Sequence, residues 1–426
     1  MNKNFKLKEI TEIIAGGDKP QKFSEFKNND CKVPVYGNAE GLDGLLGYTD
    51  KPRIFKSAVT ISARGSKVGF TALRKEPFVP IIRLLTLIPF EELVNVKYLF
   101  YNLKLNNFGG TGSGQPQITI PNISNKVISI PNLETQQKIA SILSALDDKI
   151  ELNNRINAEL EAIAKTLYDY WFVQFNFPNS PPKEGWQNSK NFDGVVGYKS
   201  SGGKMVYNET LKREIPEGWE VTVFNDWIKD TKAGDWGKES IEGNYTERVY
   251  CIRGADINGI NGKGEVKAPE RFILKNNSSK KLVPNDFVVE ISGGSPVQST
   301  GRIALITEST LERFDTDIIC SNFCKAVSIK NEKYIYNFKQ EWQRLYNAGV
   351  FFGFEGKTSG IKNFLFDSFM NSYSIVLPKK EIVEKYYEFA QSIDKKIQSN
   401  LKQNQELSAL RDWLLPLLMN GQVKVG

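Results

Sequence analysis

Along the first 130 residues, apolar side chains come in short runs broken by glycine. Val33–Tyr36, Ala58–Ser62, Phe78–Leu87 and Val127–Ile130 have the length and the β-branched content of strands. Gly37, Gly41, Gly44, Gly47, Gly65 and Gly69 punctuate them, and Glu92–Asn102 is a helix candidate. The pattern changes at Leu133. From there to about Phe172 there is neither Gly nor Pro. Ile139, Leu146, Leu160 and Leu167 fall on one heptad row, and Ile142, Ile156, Ile163 and Tyr170 on the next. This predicts a single helix of about 40 residues, roughly 60 Å long, with Pro131 just ahead of it, where a helix start tolerates proline. Residues 173–218 read as a linker rich in Pro, Gly, Ser and Asn (Pro178-Asn179-Ser180-Pro181-Pro182, Ser200-Ser201-Gly202-Gly203). From Trp219 to Pro378 short strand candidates return, among them Arg248–Ile252, Phe287–Ile291, Arg302–Ile306 and Ser374–Leu377. A second helical pattern runs from Pro378 to about Asn420.

The two helical stretches are copies. An offset of 247 overlays Pro131 on Pro378, Glu134 on Glu381, Asp147 on Asp394, Asn153 on Asn400, Asn157 on Asn404 and Leu167 on Leu414 without a gap. The chain therefore reads globule–helix–linker–globule–helix, with a period too long for a solenoid. A heptad seam of this length is not stable in water, so the two copies should bury their seams against each other as a coiled coil. Periodicity leaves parallel and antiparallel pairing open. Asn153 and Asn400 occupy the same row near the helix midpoints. An antiparallel pair would bring them near each other, where buried asparagines fix register at some cost in stability; the alternative is that both face solvent. Antiparallel pairing would set the globules at opposite ends.

A length of 426 residues is enough for two to four domains. There is no histidine, which excludes a Ser-His-Asp triad, a Cys-His dyad and a histidine-ligated zinc site within this chain. Four scattered cysteines suit a reducing compartment. The N-terminus has no apolar signal core, and the run Phe78–Phe90 is too short for a membrane span, so a cytoplasmic protein is expected. The net charge of +7 is concentrated: residues 1–132 hold 18 basic and 11 acidic side chains, whereas residues 219–378 hold 20 of each. A basic first globule suits a polyanion. The candidate catalytic motifs fail. Gly356-Lys357-Thr358 imitates a phosphate loop, but Phe351 stands where the first glycine belongs. Cys320 and Cys324 lack the spacing and partners of a zinc site, and Asn179-Ser180-Pro181-Pro182 is broken as a methyltransferase motif by Ser180.

Several segments resemble the DNA specificity subunit of type I restriction–modification systems. They are Ile61-Ser62-Ala63-Arg64-Gly65, Gly112-Ser113-Gly114-Gln115-Pro116-Gln117, Ile130-Pro131-Asn132-Leu133-Glu134-Thr135-Gln136-Gln137, Lys199-Ser200-Ser201-Gly202-Gly203-Lys204-Met205-Val206 and Ile215-Pro216-Glu217-Gly218-Trp219-Glu220. The second copy departs from the pattern at Lys379-Lys380-Glu381-Ile382-Val383 and at Thr358-Ser359-Gly360-Ile361. The resemblance implies an α+β protein: two mixed α/β target recognition domains separated by two long helices that form an antiparallel coiled coil, in a pseudo-two-fold repeat. Residues 1–130 would be the first recognition domain, 131–175 the first spacer helix, 176–215 a linker, 216–378 the second domain and 379–426 the second spacer helix and tail. It further implies a non-catalytic subunit that reads a bipartite site in double-stranded DNA. Its partners would be two modification (methyltransferase) and two restriction (translocase and nuclease) subunits. S-adenosylmethionine, ATP and magnesium would belong to those subunits, with no cofactor or metal in this chain. Glycine-rich loops bearing hydroxyl, amide and guanidinium groups are the natural DNA contacts. They give Ser62, Arg64, Ser66, Lys67, Thr111, Ser113, Gln115 and Gln117 in the first domain. In the second they give Arg253, Ser292, Ser295, Gln298, Arg302, Lys357, Thr358 and Lys362.

Overall fold

The structure, a computed structural model, describes residues 2–425 apart from 39–40, 66, 107, 109–116, 179–196, 296, 359–360 and 424. The chain divides into two compact units, Met1–Ile150 with Glu406–Gly426, and Glu151–Gln405.

The first unit begins with β1 (Lys3–Lys6), the one-turn helix α1 (Leu7–Ile10) and β2 (Thr11–Ala15), followed by β3 (Val33–Tyr36), β4 (Leu45–Thr49), β5 (Ala58–Ile61), β6 (Thr71–Arg74), β7 (Val79–Pro80) and β8 (Leu85–Pro89). Helices α2 (Val96–Leu105) and α3 (Ile120–Ser124), β9 (Val127–Ile130) and the start of α4 (Leu133–Tyr168) complete it. An antiparallel sheet has the order β2-β8-β5-β6, and a smaller one has the order β4-β3-β7, with β3 and β7 parallel. The apolar run Phe78–Leu87 is not one strand. Ile82 and Arg83 both adopt positive φ (54° and 59°), a costly conformation for L-residues, and this turn moves the chain from the small sheet into the large one. Helix α2 starts later than the sequence suggests because the Asn95 side chain accepts from Lys97 N and Tyr98 N and so caps it.

The second unit repeats this plan. Its strands are β10 (Met205–Asn208), β11 (Arg213–Pro216), β12 (Glu220–Val223), β13 (Ile228–Ala233), β14 (Tyr245–Ile252), β15 (Glu270–Leu274), β16 (Asp286–Glu290), β17 (Ser292–Gly293), β18 (Ile303–Ile306), β19 (Ile318–Cys320), β20 (Cys324–Ile329), β21 (Glu355–Thr358), β22 (Ile361–Phe364) and β23 (Ser374–Leu377). Between them lie α5 (Ile257–Ile260), α6 (Glu308–Leu311), α7 (Ile335–Asn347) and α8 (Phe366–Ser372); α9 (Lys380–Met419) follows and ends in the first unit. The sheet order β13-β20-β16-β18 reproduces β2-β8-β5-β6. The order β15-β14-β19, again with one parallel pair, reproduces β4-β3-β7, and β12-β23 reproduces β1-β9. The core is aromatic, with Phe224, Phe338, Trp342, Phe351 and Phe369 all fully buried. The expected linker is partly structured. β10 and β11 form a hairpin, and Phe177 stacks on Trp219 at 4.9 Å.

Helix α4 has 36 residues and ends in a π-helical turn, Asp169–Val173. It pairs antiparallel with α9. In the first unit, Ile139 and Leu143 share a core with Leu415 and Leu418. In the second, Ala164 packs with Ile393, Ile397 and Leu401. The first heptad row faces inward, but the second does not. Ile142, Ile163 and Tyr170 are exposed, while Leu143, Asn157 and Ala164, one position along, are buried. Rows three and four residues from the first are both helix neighbours, so spacing cannot choose between them. Here Asn157 and Ala164, both smaller than the isoleucines beside them, take the inward row with Leu143.

Candidate nucleic-acid interface

In the second unit, three loops leave the strands side by side. One follows β14 and carries Arg253, a second joins β16 to β18 and carries Ser292, Ser295 and Gln298, and a third joins β19 to β20 and carries Asn322 and Phe323. Trp236, Arg253, Glu290, Ser292, Phe323 and Ile361 are among the residues lining a cleft of about 700 Å³ at their meeting point. Glu290, 2% exposed, lies under it. Arg302 holds both Glu290 oxygens, from Nε to Oε2 at 2.8 Å and from Nη2 to Oε1 at 2.6 Å. Arg302 is therefore a buried brace and does not present its fork to a base. The close pair requires glycine above it: a Cβ on Gly254 would sit 2.5 Å from Glu290 Oε1. Arg253 is spent in part on Asp256, which its Nε reaches at 2.8 Å, but it keeps a third of its side-chain surface. Lys362 is largely buried and paired with Glu355 at 3.0 Å, another brace. The β16–β18 loop is pinned at its far end: Trp342 Nε1 donates to Gly301 O at 2.7 Å, and Tyr346 donates its hydroxyl hydrogen to Ser299 O at 3.1 Å. At its near end Ser292 Oγ donates to Asn363 Oδ1 at 2.6 Å, and Phe364 N donates to Ile291 O at 2.8 Å. Gly294 (φ +74°) makes the turn in which Ser295 and Gln298 pair.

The first unit builds the same set. Ser62 is buried in the β5–β6 loop, with its amide on Phe70 O, while Arg64 and Lys67 project into solvent. Gln117 is half-buried beside Ile118, whose N–H donates to Ala63 O at 3.0 Å. This bond ties together two segments that the sequence shows more than fifty residues apart. Asn38, after β3, accepts from Ala63 N at 2.8 Å and donates to Ile82 O at 2.5 Å, joining the third loop. Ser66, Thr111, Ser113 and Gln115 lie outside the described residues. Lys357 and Thr358 are placed in β21, opposite Lys362 and Ile361, with their side chains outside the described set. Sequence reasoning missed Trp236, Asn322 and Phe323, and their counterparts Ile82 and Arg83. Phe323 is 53% and Ile82 57% exposed. Only the fold reveals an exposed apolar residue as a loop tip beside other loops.

The two asparagines singled out for register each bond a different asparagine of the facing helix. Asn153 and Asn400 are both buried (1% and 4%), but they do not bond each other. Asn153 Nδ2 donates to Asn404 Oδ1 at 2.9 Å and to Gln403 Oε1 at 2.8 Å, and Asn400 Nδ2 donates to Asn157 Oδ1 at 2.8 Å. Under the offset of 247, Asn153–Asn404 and Asn400–Asn157 are one contact made twice. The helix contact is thus centred between Asn153 and Asn157, not at Asn153.

Burial pushes the thiols of Cys251 and Cys324 up to about 12, which keeps them protonated and poor metal ligands. Among the described residues no group of three or more Cys, Asp or Glu could hold a metal ion, and no helix is long and apolar enough to cross a membrane. Gly356-Lys357-Thr358 lies in a hairpin strand, not ahead of a helix.

Residues 2–162 match the family described as the type I restriction modification DNA specificity domain. The chain is 25% identical to the type I restriction enzyme MjaIX specificity subunit of Methanocaldococcus jannaschii, covering 99% of this chain and 93% of that one. It is 31% identical to the C-terminal part of a putative type I specificity subunit of Mycoplasma pneumoniae, covering 30% of this chain and 89% of the relative. The crystal structure of the S subunit of a type I restriction–modification system from M. genitalium has the same fold, with a TM-score of 0.58 at 15% identity over 98% of this chain and 96% of that one. The chain thus belongs to the DNA specificity subunits of type I restriction–modification systems, whose part in the complex is recognition and not catalysis.

Proposed function

We propose that each unit reads one half of a bipartite target in double-stranded DNA. Residues 1–130 and 216–378 act as the two target recognition domains and 176–215 as their linker. Residues 131–175 and 379–426 are spacer helices that set the half-site distance and dock two modification subunits. The observation that carries this reading is the repeated trio of loops at equivalent strand ends of both units. In the first unit Arg64, Lys67 and Gln117 contact DNA together with Ile82 and Arg83. In the second, Arg253, Ser292, Ser295 and Gln298 do so with Asn322 and Phe323. Ser66, Thr111, Ser113, Gln115, Lys357 and Thr358 add further contacts. Ser62, Arg302 and Lys362 position the loops. Guanidinium and amide groups suit base edges, and exposed apolar tips suit the thymine methyl. The modification subunits supply S-adenosylmethionine-dependent adenine methylation, and two restriction subunits supply the ATP- and magnesium-dependent steps, all in the cytoplasm.

The test is an adenine-methylation map of cells that express the modification subunit with or without this chain. A bipartite methylated motif is expected only when the chain is present. Complex assembly with no chain-dependent methylation would overturn the reading.

A further inference from the structure

The helix repeat makes Asp147 and Asp394 equivalent, and their surroundings can be compared group by group. In the first unit Asp147 is fully engaged. Arg411 Nη1 donates to its Oδ1 at 2.7 Å, and the Tyr101 hydroxyl donates to its Oδ2 at 2.6 Å. Lys104, one turn on from Tyr101, feels the charge of both Asp147 and Arg411. In the second unit Tyr336-Asn337-Phe338-Lys339 repeats Tyr101-Asn102-Leu103-Lys104. The tyrosine and the lysine are therefore retained, and Lys339 Nζ stands 3.8 Å from Asp394 Oδ1, beyond hydrogen-bond range. The arginine is not retained. One repeat before Arg411 the chain has Ala164.

A cavity of about 280 Å³ lies beside that alanine, with Ala164, Tyr336, Lys339, Gln340, Ile393 and Asp394 among the residues that line it. Asp394 is 5% exposed, and its Oδ2 has no hydrogen-bond partner. A buried carboxylate oxygen without a donor is costly. The other cations of the wall are already committed: Lys165 to Asp169, Lys263 to Glu161 and Arg344 to Glu341; Arg313, whose charge also reaches Asp394, gives its guanidinium hydrogens to Gln398 Oε1 and the carbonyls of Gly259 and Ile260. A planar fork of N–H donors is the group that matches a carboxylate best, and it is the group the first repeat uses. We propose that this cavity is a guanidinium-binding site, in which Asp394 takes from outside the cation that Arg411 supplies to Asp147 from within. A free guanidinium compound and an arginine side chain of a docked subunit share this chemistry.

The test titrates methylguanidinium into the full-length chain by calorimetry, alongside Asp394→Asn and Ala164→Arg. Saturable binding by the wild type is expected, about ten-fold weaker in Asp394→Asn and lost in Ala164→Arg. The Ala164→Arg variant should also melt higher, because its new side chain fills the site. No binding by the wild type, or equal binding by all three, overturns the proposal. This arm does not depend on the functional reading. Repeating the titration on the chain assembled with modification subunits separates the sources: loss of binding assigns the site to a partner arginine, and persistence assigns it to a free compound.

Discussion

Asn404 accepts from Asn153 and donates to Asn154 Oδ1 at 2.8 Å, so truncating it removes two hydrogen bonds between the helices. Asn404→Ala should cost about 1–3 kcal/mol, read from the denaturant midpoint of the purified chain. Asp394 makes a second prediction. Burial holds its carboxyl above the ordinary value of 3.8, against the pull of Lys339, Thr307 and Arg313. A raised acid weakens the folded state above the unfolded pKa, and that penalty fades as the pH falls through the folded one. Asp394→Asn should therefore stabilise the chain at neutral pH, with the gain shrinking as the pH is lowered toward about 4, as thermal melts across pH would show. At this scale the sequence was legible where residue type alone decides. It singled out Asn153 and Asn400 but left burial and solvent exposure both open; both are buried. Their partners lie one turn away because the position of the axis depends on how two surfaces meet, which no single helix encodes. Arg302 looked like a base reader for the same reason: nothing local reveals that Glu290, twelve residues earlier, claims its guanidinium.

Strands and helices were mostly legible from period and punctuation, and the misses have a common cause. Phe78–Leu87 reads as one run because both of its halves are buried, one in each sheet, and the single charge Arg83 is the only hydropathy mark of the turn at Ile82 and Arg83. Those positions and their counterparts are where elements meet DNA in the proposed reading. The double variant Asn322→Ala/Phe323→Ala should alter only the half-site read by the second unit, and a methylation map would show one half of the motif relaxed and the other intact. Removing Arg64 and Lys67 should instead weaken binding to all sequences and flatten its salt dependence by about 0.9 logarithmic units per lost phosphate contact, measured by titration at several salt concentrations. For the spacer helices, inserting one heptad into each at equivalent positions adds about 10 Å. The gap in the methylated motif should then lengthen by about three base pairs at 3.4 Å each.

At the level of the whole chain, the duplication was visible only in the helices. The β-rich parts carry the same sheet order twice, yet no single offset relates them. Loops of unequal length separate equivalent strands, and sheets tolerate such insertions as helices in register do not. The asparagine contact has one more consequence. Since Asn153–Asn404 and Asn400–Asn157 are the same bond written twice, the pairing surface is self-complementary, as the interface of a symmetric dimer must be. A single repeat holds both halves of that bond, Asn153 and Asn157, so two identical half-length chains carry all that is needed to pair through it. Two identical readers related by a two-fold axis recognise a palindrome. In a single chain each reader can change without the other, so the target need not be a palindrome.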